Sequence, residues 1–146
     1  LMLQADFVLA AEGTRFNLAY INLGTSCDVG ASWALPRLLG LRRALEIAML
    51  GDTYSASEAE RLGLVNRVVP AAELGAAVQE LAQRLASGPT LAYGHMRRLM
   101  RNAFDHDLPT QLAAEGDAFV ACARGADLPE GIEAFHAKRP AAFQGR

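Results

Sequence analysis

The sequence predicts an α/β chain, with short buried strands among helices in its first part and helices alone in its second. Three observations carry that expectation. Residues 7–11, Phe-Val-Leu-Ala-Ala, are apolar throughout, as in a strand of a parallel sheet covered on both faces. Residues 64–69, Leu-Val-Asn-Arg-Val-Val, are rich in β-branched side chains and are closed by Pro70, which reads as another short strand. Beyond Ser87-Gly88-Pro89 the apolar residues recur at helical spacing.

The totals narrow the class. The 146 residues are enough for a hydrophobic core, and 51% hydrophobic against 21% charged residues is ordinary for a globular protein. A net charge of −2 supplies no field that would gather nucleic acid. No apolar run approaches bilayer thickness, so neither a nucleic-acid nor a membrane partner is expected. Cys27 and Cys122 fit no metal-ligand spacing and are too sparse for a disulfide-built secreted fold. A reduced, cytoplasmic setting is the expectation. The chain opens without a capped element, and the strand at 7–11 has few candidate neighbours downstream. A fragment of a longer domain is expected.

In chain order, Glu12-Gly13-Thr14-Arg15 reads as a turn and residues 16–18 as a short extended piece. An apolar, strand-like stretch is expected to run on to Gly24. A polar loop carrying the acid Asp28 follows, and a helix begins near Ser32. Pro36 and Gly40 divide that helix into segments near 31–39 and 41–50. In the second, Leu41, Leu45, Ala48 and Met49 recur at i, i+4, i+7 and i+8 and are expected to form its buried face. Ser55-Ala56-Ser57-Glu58 has the form of a capping box that opens a short helix ending at Gly63. Residues 71–86 place Leu74, Val78, Leu81 and Leu85 on one stripe. Further stripes join Met96, Leu99, Met100, Ala103 and Phe104, and then Leu112, Gly116, Phe119 and Ala123. A last helix carries Ile132 and Phe135. Helices of this kind bury their apolar faces against the core or another subunit.

Among the candidates for chemistry, Asp28 ranks first. Asp is a common turn and N-cap residue, and that structural role competes with any functional one. The functional reading is that Leu23, Val29 and Trp33 desolvate the carboxylate, which favours its protonated form, while the nearby helix N-terminus acts oppositely. Gly24, Gly30 and Gly40 lack the spacing of a phosphate or dinucleotide loop. His95, His106 and His136 have no Cys or carboxylate partners at ligand spacing, so no metal site is expected. Arg97, Arg98 and Arg101 share a helix face that reads as solvated charge. Cys27 lacks a nearby His, which leaves a thiol nucleophile unsupported.

Several stretches together resemble the enoyl-CoA hydratase/isomerase (crotonase) superfamily. They are Ala5-Asp6-Phe7-Val8-Leu9-Ala10-Ala11-Glu12-Gly13-Thr14-Arg15-Phe16, Ile21-Asn22-Leu23-Gly24 and Leu35-Pro36-Arg37-Leu38-Leu39-Gly40. Arg43-Ala44-Leu45-Glu46, Ser55-Ala56-Ser57-Glu58-Ala59, Gly63-Leu64-Val65-Asn66-Arg67-Val68-Val69-Pro70 and Glu130-Gly131-Ile132-Glu133-Ala134-Phe135 extend the match in order and spacing over nearly the whole chain.

The resemblance implies the C-terminal portion of a crotonase-like ββα spiral at residues 1–88 and a helical oligomerisation region at 89–146. It implies an acyl-CoA thioester as substrate with no further cofactor, and a homotrimer or dimer of trimers. The family's two backbone oxyanion donors, and the first of the two glutamates used by its hydratases, would lie upstream of Leu1. The second glutamate falls on Tyr20, where hydratases carry Pro-Glu in place of Ala19-Tyr20. A phenol with an ordinary pKa near ~10 is a poor base at neutral pH. Asp28 lies where some isomerising relatives and the aroyl-CoA dehalogenases carry their working aspartate. The stretch Asp28-Val29-Gly30-Ala31-Ser32-Trp33 looks like the ring-opening isomerases of phenylacetyl-CoA breakdown. The resemblance thus implies Asp28 as catalytic, with Tyr20, Leu23, Gly24 and Trp33 at the acyl or CoA site. It matches Phe135 and Lys138 to a position where a neighbouring subunit helps hold the CoA. Isomerisation is favoured because one carboxylate can shuttle a proton between carbons. Hydration of a 2-enoyl-CoA and a catalytically decayed CoA-binding oligomer remain open. The 146 residues alone are expected to be inactive.

Overall fold

The computed structural model describes residues 2–146, and the chain divides by its contacts into two compact units after Gln79. The first unit opens with a 3-10 turn, Met2–Gln4, followed by β1 (Leu9–Ala11) and β2 (Arg15–Asn17). A second 3-10 turn, Ala19–Leu23, precedes α1 (Ala31–Leu39) and α2 (Leu41–Leu50). Then come β3 (Thr53–Ser55), α3 (Ala56–Leu62), β4 (Arg67–Val69) and α4 (Leu74–Ala86), the last of which crosses the division.

β1 pairs in parallel with β4, with Leu9 opposite Arg67 and Ala11 opposite Val69, as the all-apolar run suggested. The pairing is extended at one end by Asn66, whose Oδ1 accepts from the Val8 N–H at 2.7 Å while its own N–H donates to the Val8 carbonyl at 2.8 Å. β2 pairs antiparallel with β3, with Phe16 opposite Tyr54. The core between them is built of small side chains. Ala10, Ala56, Ala59 and Val65 are buried, with Val8, Phe16, Leu64 and Val68 packed around them. α3 is placed by the expected capping box: the Ser55 hydroxyl accepts from the Glu58 N–H, and the Glu58 carboxylate accepts from the Ser55 N–H at 2.8 Å.

Two expectations are corrected here. The stretch ending at Gly24 is a 3-10 turn, not a strand. Its N–H groups are satisfied locally, by Gly24 N–H on the Ile21 carbonyl at 3.0 Å and Thr25 N–H on the Tyr20 carbonyl at 3.1 Å. Asn17 and Asn22 side chains both donate to the Gly51 carbonyl, at 2.8 and 3.4 Å, and draw the turn against the end of α2. The buried face of α2 is also displaced from the one expected. Ala44 and Ile47 are buried, whereas Leu41, Leu45 and Met49 are 65%, 44% and 65% exposed. The helix is apolar over a wide arc. Its contacts with α1 and with the Ala19–Leu23 turn cover only one side of that arc.

The second unit completes α4 and adds α5 (Thr90–Asn102), α6 (Leu108–Ala123) and α7 (Asp127–Ala137), with α6 packed on both neighbours. Asp107 caps α6 by accepting from the Thr110 N–H at 2.9 Å. Residues 139–146 fold back along α7. The buried Asp127 carboxylate accepts from the Gln144 and Gly145 N–H groups at 2.7 and 2.8 Å, and Glu130 accepts from the Ala142 N–H at 2.7 Å. Arg139 closes the clamp with two bonds to Glu130, at 2.6 and 3.0 Å. Met96, Met100, Leu112, Phe119 and Ile132 stand exposed on these helices, and Phe104 on the turn after α5. No helix among the described residues is long and apolar enough to cross a membrane.

Candidate active site

A cavity of about 310 Å³ lies in the first unit. Its walls are apolar, with Phe16 and Leu18 from β2 and its end, Leu35 from α1, Ile47 from α2, and Leu64 after α3. Three ionisable groups face it: Asp28, Tyr20 and Tyr54.

Local structure sets where each of these points. Tyr20 stands in the turn held by Asn17, Asn22 and the Gly51 carbonyl. Gly51 has φ +63°, and a Cβ there would come within 2.8 Å of both the Ile21 side chain and the Asn22 amide oxygen. A larger residue would push the turn away. Asp28 precedes Val29, a β-branched residue at φ +50°, and Gly30 at φ +74°, the N-cap of α1. A Cβ on Gly30 would lie 2.9 Å from the Gln4 amide nitrogen, so the first 3-10 turn approaches the Asp28 loop closely. Left-handed backbone at Val29 costs energy and persists only where the surroundings enforce it.

These two segments bring Tyr20 and Asp28 together. The Tyr20 phenol donates a hydrogen bond to Oδ1 of Asp28. That bond, with smaller contributions from burial and the carboxylate's charge, pushes the Tyr20 phenol above its ordinary value. The Tyr54 phenol is also pushed up, chiefly by burial and then by Glu46 and Asp52. With their pKa values raised, both phenols keep their protons at neutral pH and are donors.

The other sequence candidates are placed differently. Asp28 is itself exposed, as are Leu23 at 80%, Val29 at 56% and Trp33 at 44%, so the expected desolvation by these three neighbours is not present in this chain. Gly24 terminates the 3-10 turn in left-handed conformation. Leu23 and Trp33 are not cavity walls; Trp33 lies beneath the Arg37 guanidinium, 4.0 Å from its ring centre, with Arg37 also donating to the Trp33 carbonyl at 3.2 Å. Phe135 and Lys138 belong to the second unit. Phe135 is 80% exposed and meets the His136 ring edge-on, while Lys138 ends α7 at φ +52°. Sequence reasoning missed Phe16, Leu35 and Tyr54 as walls. The available signal was the Thr-Tyr-Ser run before the capping box, where a strand at 53–55 would set Tyr54 opposite Phe16.

The family model described as "Enoyl-CoA hydratase/isomerase" matches residues 1–146. The chain belongs to this family. It is 38% identical, over 146 residues, to the 1,2-epoxyphenylacetyl-CoA isomerase of Escherichia coli K12, covering 100% of this chain and 56% of that protein. It is 35% identical over 138 residues to the crotonyl-CoA hydratase of Syntrophomonas wolfei, covering 94% of this chain and 53% of the relative. The chain therefore spans about half the length of the curated relatives it matches. Among solved structures, the enoyl-CoA hydratase of Bacillus anthracis superposes with a TM-score of 0.91 at 34% identity, over 99% of this chain and 56% of that one. The enoyl-CoA hydratase/isomerase of Cupriavidus metallidurans CH34 gives 0.92 at 34%, over 99% and 54%. The mixed strand and helix arrangement is thus the crotonase fold, as the residues' resemblance implied.

Proposed function

We propose that the protein acts on acyl-CoA thioesters by proton transfer through an enolate, that Asp28 carries the proton, and that the reaction is an isomerisation. The observation that carries this reading is the Asp28 carboxylate beside an apolar cavity, bonded to the phenol of Tyr20. Ionisation of a carbon next to the thioester needs a base within reach and stabilisation of the developing oxyanion. Asp28 supplies the base. The oxyanion donors are the backbone groups that the family resemblance assigns to the part of the domain preceding this segment.

Tyr20 stands at the position where the resemblance assigns a second acid to hydratases. A phenol that keeps its proton and donates it in a hydrogen bond to a carboxylate, and whose pKa lies above the ordinary value, cannot take one from water at neutral pH. Moving a proton from one carbon to another needs one base that then serves as acid. Similarity to the E. coli isomerase supports the same direction.

In the native protein, Asp28→Asn is expected to lower kcat on an enoyl-CoA by roughly 10²–10⁴-fold, the usual worth of general acid–base catalysis. Binding of the CoA ester, followed by calorimetry, should stay within about threefold, because the amide keeps the shape of the carboxylate. Turnover at the native rate would remove Asp28 from the chemistry. Similarity to the S. wolfei crotonyl-CoA hydratase favours a second reading, water addition by an acid outside this segment. Formation of 3-hydroxybutyryl-CoA from crotonyl-CoA by the Asp28→Asn protein would select it. Acyl-CoA binding with no product from either substrate would select a binding oligomer.

A further inference from the structure

A carboxylate turns about its last bond in a broad, two-fold torsion, so its two oxygens exchange places unless something distinguishes them. Asp28 is exposed, and packing does not make that distinction. The Tyr20 phenol does, because it donates to Oδ1. Each partner is fixed from its own side. Tyr20 rides on the turn that Asn17 and Asn22 bind to the Gly51 carbonyl, and Asp28 is set by the left-handed pair Val29 and Gly30.

We propose that Tyr20 is a positioning residue that occupies Oδ1 of Asp28 and leaves Oδ2 as the oxygen that takes and returns the proton. This rests on the isomerisation reading above. In the shift of a 3-enoyl-CoA to its conjugated isomer, the C–H bond next to the thioester carbonyl breaks as the Oδ2–H bond forms. The electron pair passes into the extended enolate. The Oδ2–H bond then breaks as a C–H bond forms at the far end of that system, and the electrons return to give the conjugated double bond. One oxygen serves both carbons, so the hydrogen removed is the hydrogen returned. With Oδ1 released, the protonated carboxyl can turn toward its exposed side and lose that hydrogen to water.

The test uses the native protein and a 3-enoyl-CoA carrying deuterium next to the thioester, and follows kcat, KM and the deuterium delivered to the far carbon by mass spectrometry. Tyr20→Phe is expected to lower kcat by on the order of tenfold or more, through loss of orientation. KM should stay within about twofold, and deuterium delivery should fall. Replacement of Tyr20 by 3-fluorotyrosine, which keeps the donor, should restore both. A separate readout needs no turnover: in Asp28→Asn, absorbance titration of Tyr20 should move back toward the ordinary phenol range. Delivery absent from the native protein, or equal in native and Tyr20→Phe proteins, overturns the proposal, as does a Tyr20 titration indifferent to Asp28. Native-rate turnover by Asp28→Asn would instead strike the isomerisation reading itself.

Discussion

At the scale of single residues, Val29 helps to aim the site. It is β-branched, sits at φ +50°, and is 56% exposed, so its strain is not compensated by burial. Glycine would adopt this backbone without cost, but it would also loosen the Asp28 loop. Val29→Gly is therefore expected to match or exceed the native stability, by up to about 1 kcal/mol, while kcat falls. Thermal denaturation beside steady-state kinetics checks this; a lower melting temperature with unaltered kcat would contradict it. Asp28 itself was legible as a loop acid at the start of a helix. Its hydrogen bond to Tyr20 was not. The two are 8 residues apart across a turn and a loop, and no helical or strand period relates such positions. The desolvation inferred from Leu23, Val29 and Trp33 failed for a similar reason: adjacency in sequence does not place side chains over one another in irregular backbone.

At the scale of elements, local chemistry reads best where a few neighbouring residues suffice. The Ser55–Glu58 box and the breaks at Gly40 and Gly63 are examples, since each depends only on backbone within one or two turns. The face that α2 buries depends on which neighbours arrive, and its wide apolar arc left that choice open. The return of the C-terminal residues along α7 was equally hidden, because Glu130 meets Arg139 and Ala142 through a backbone reversal at Lys138. That clamp has a pH signature. The bonds from Arg139 first, and then from the Ala142 N–H, hold the Glu130 carboxyl down to about 2, below its ordinary value of 4.5. A carboxyl depressed by folding adds stability above its unfolded pKa and loses that contribution as pH falls through the folded one. Protection of the Ala142 amide against hydrogen exchange, corrected for intrinsic rates, is expected to persist at pH 5 and to fall between about pH 4.5 and 2. In Glu130→Gln the protection should start lower and lose that dependence.

At the scale of the molecule, the buried residues are mostly alanines, joined by Leu35, Ile47 and Val65. Ala59 is the most enclosed member of the core around β1 and β4. The fold class was legible because the apolar run at 7–11 and the β-branched run at 64–69 are both short and continuous. Which strand each would join was not, because register across such a distance leaves no local trace. The pairing nonetheless governs how the chain assembles. Leu9 meets Arg67 and Val8 meets Asn66 across a separation of 58 residues, and the intervening loop contains Tyr20, Asp28, α1 and α2. Closing so long a loop carries an entropy cost before any contact across it is gained. During synthesis the first strand must wait for the fourth, and the helices between them can form while it waits. Pulse-labelled hydrogen exchange during refolding should therefore protect the amides of α1 and α2 before those of Val8, Glu12 and Asn66. Apart from Met2 and Leu3, the residues that line the cavity all lie between the two strands, so most of the site can gather before that closure.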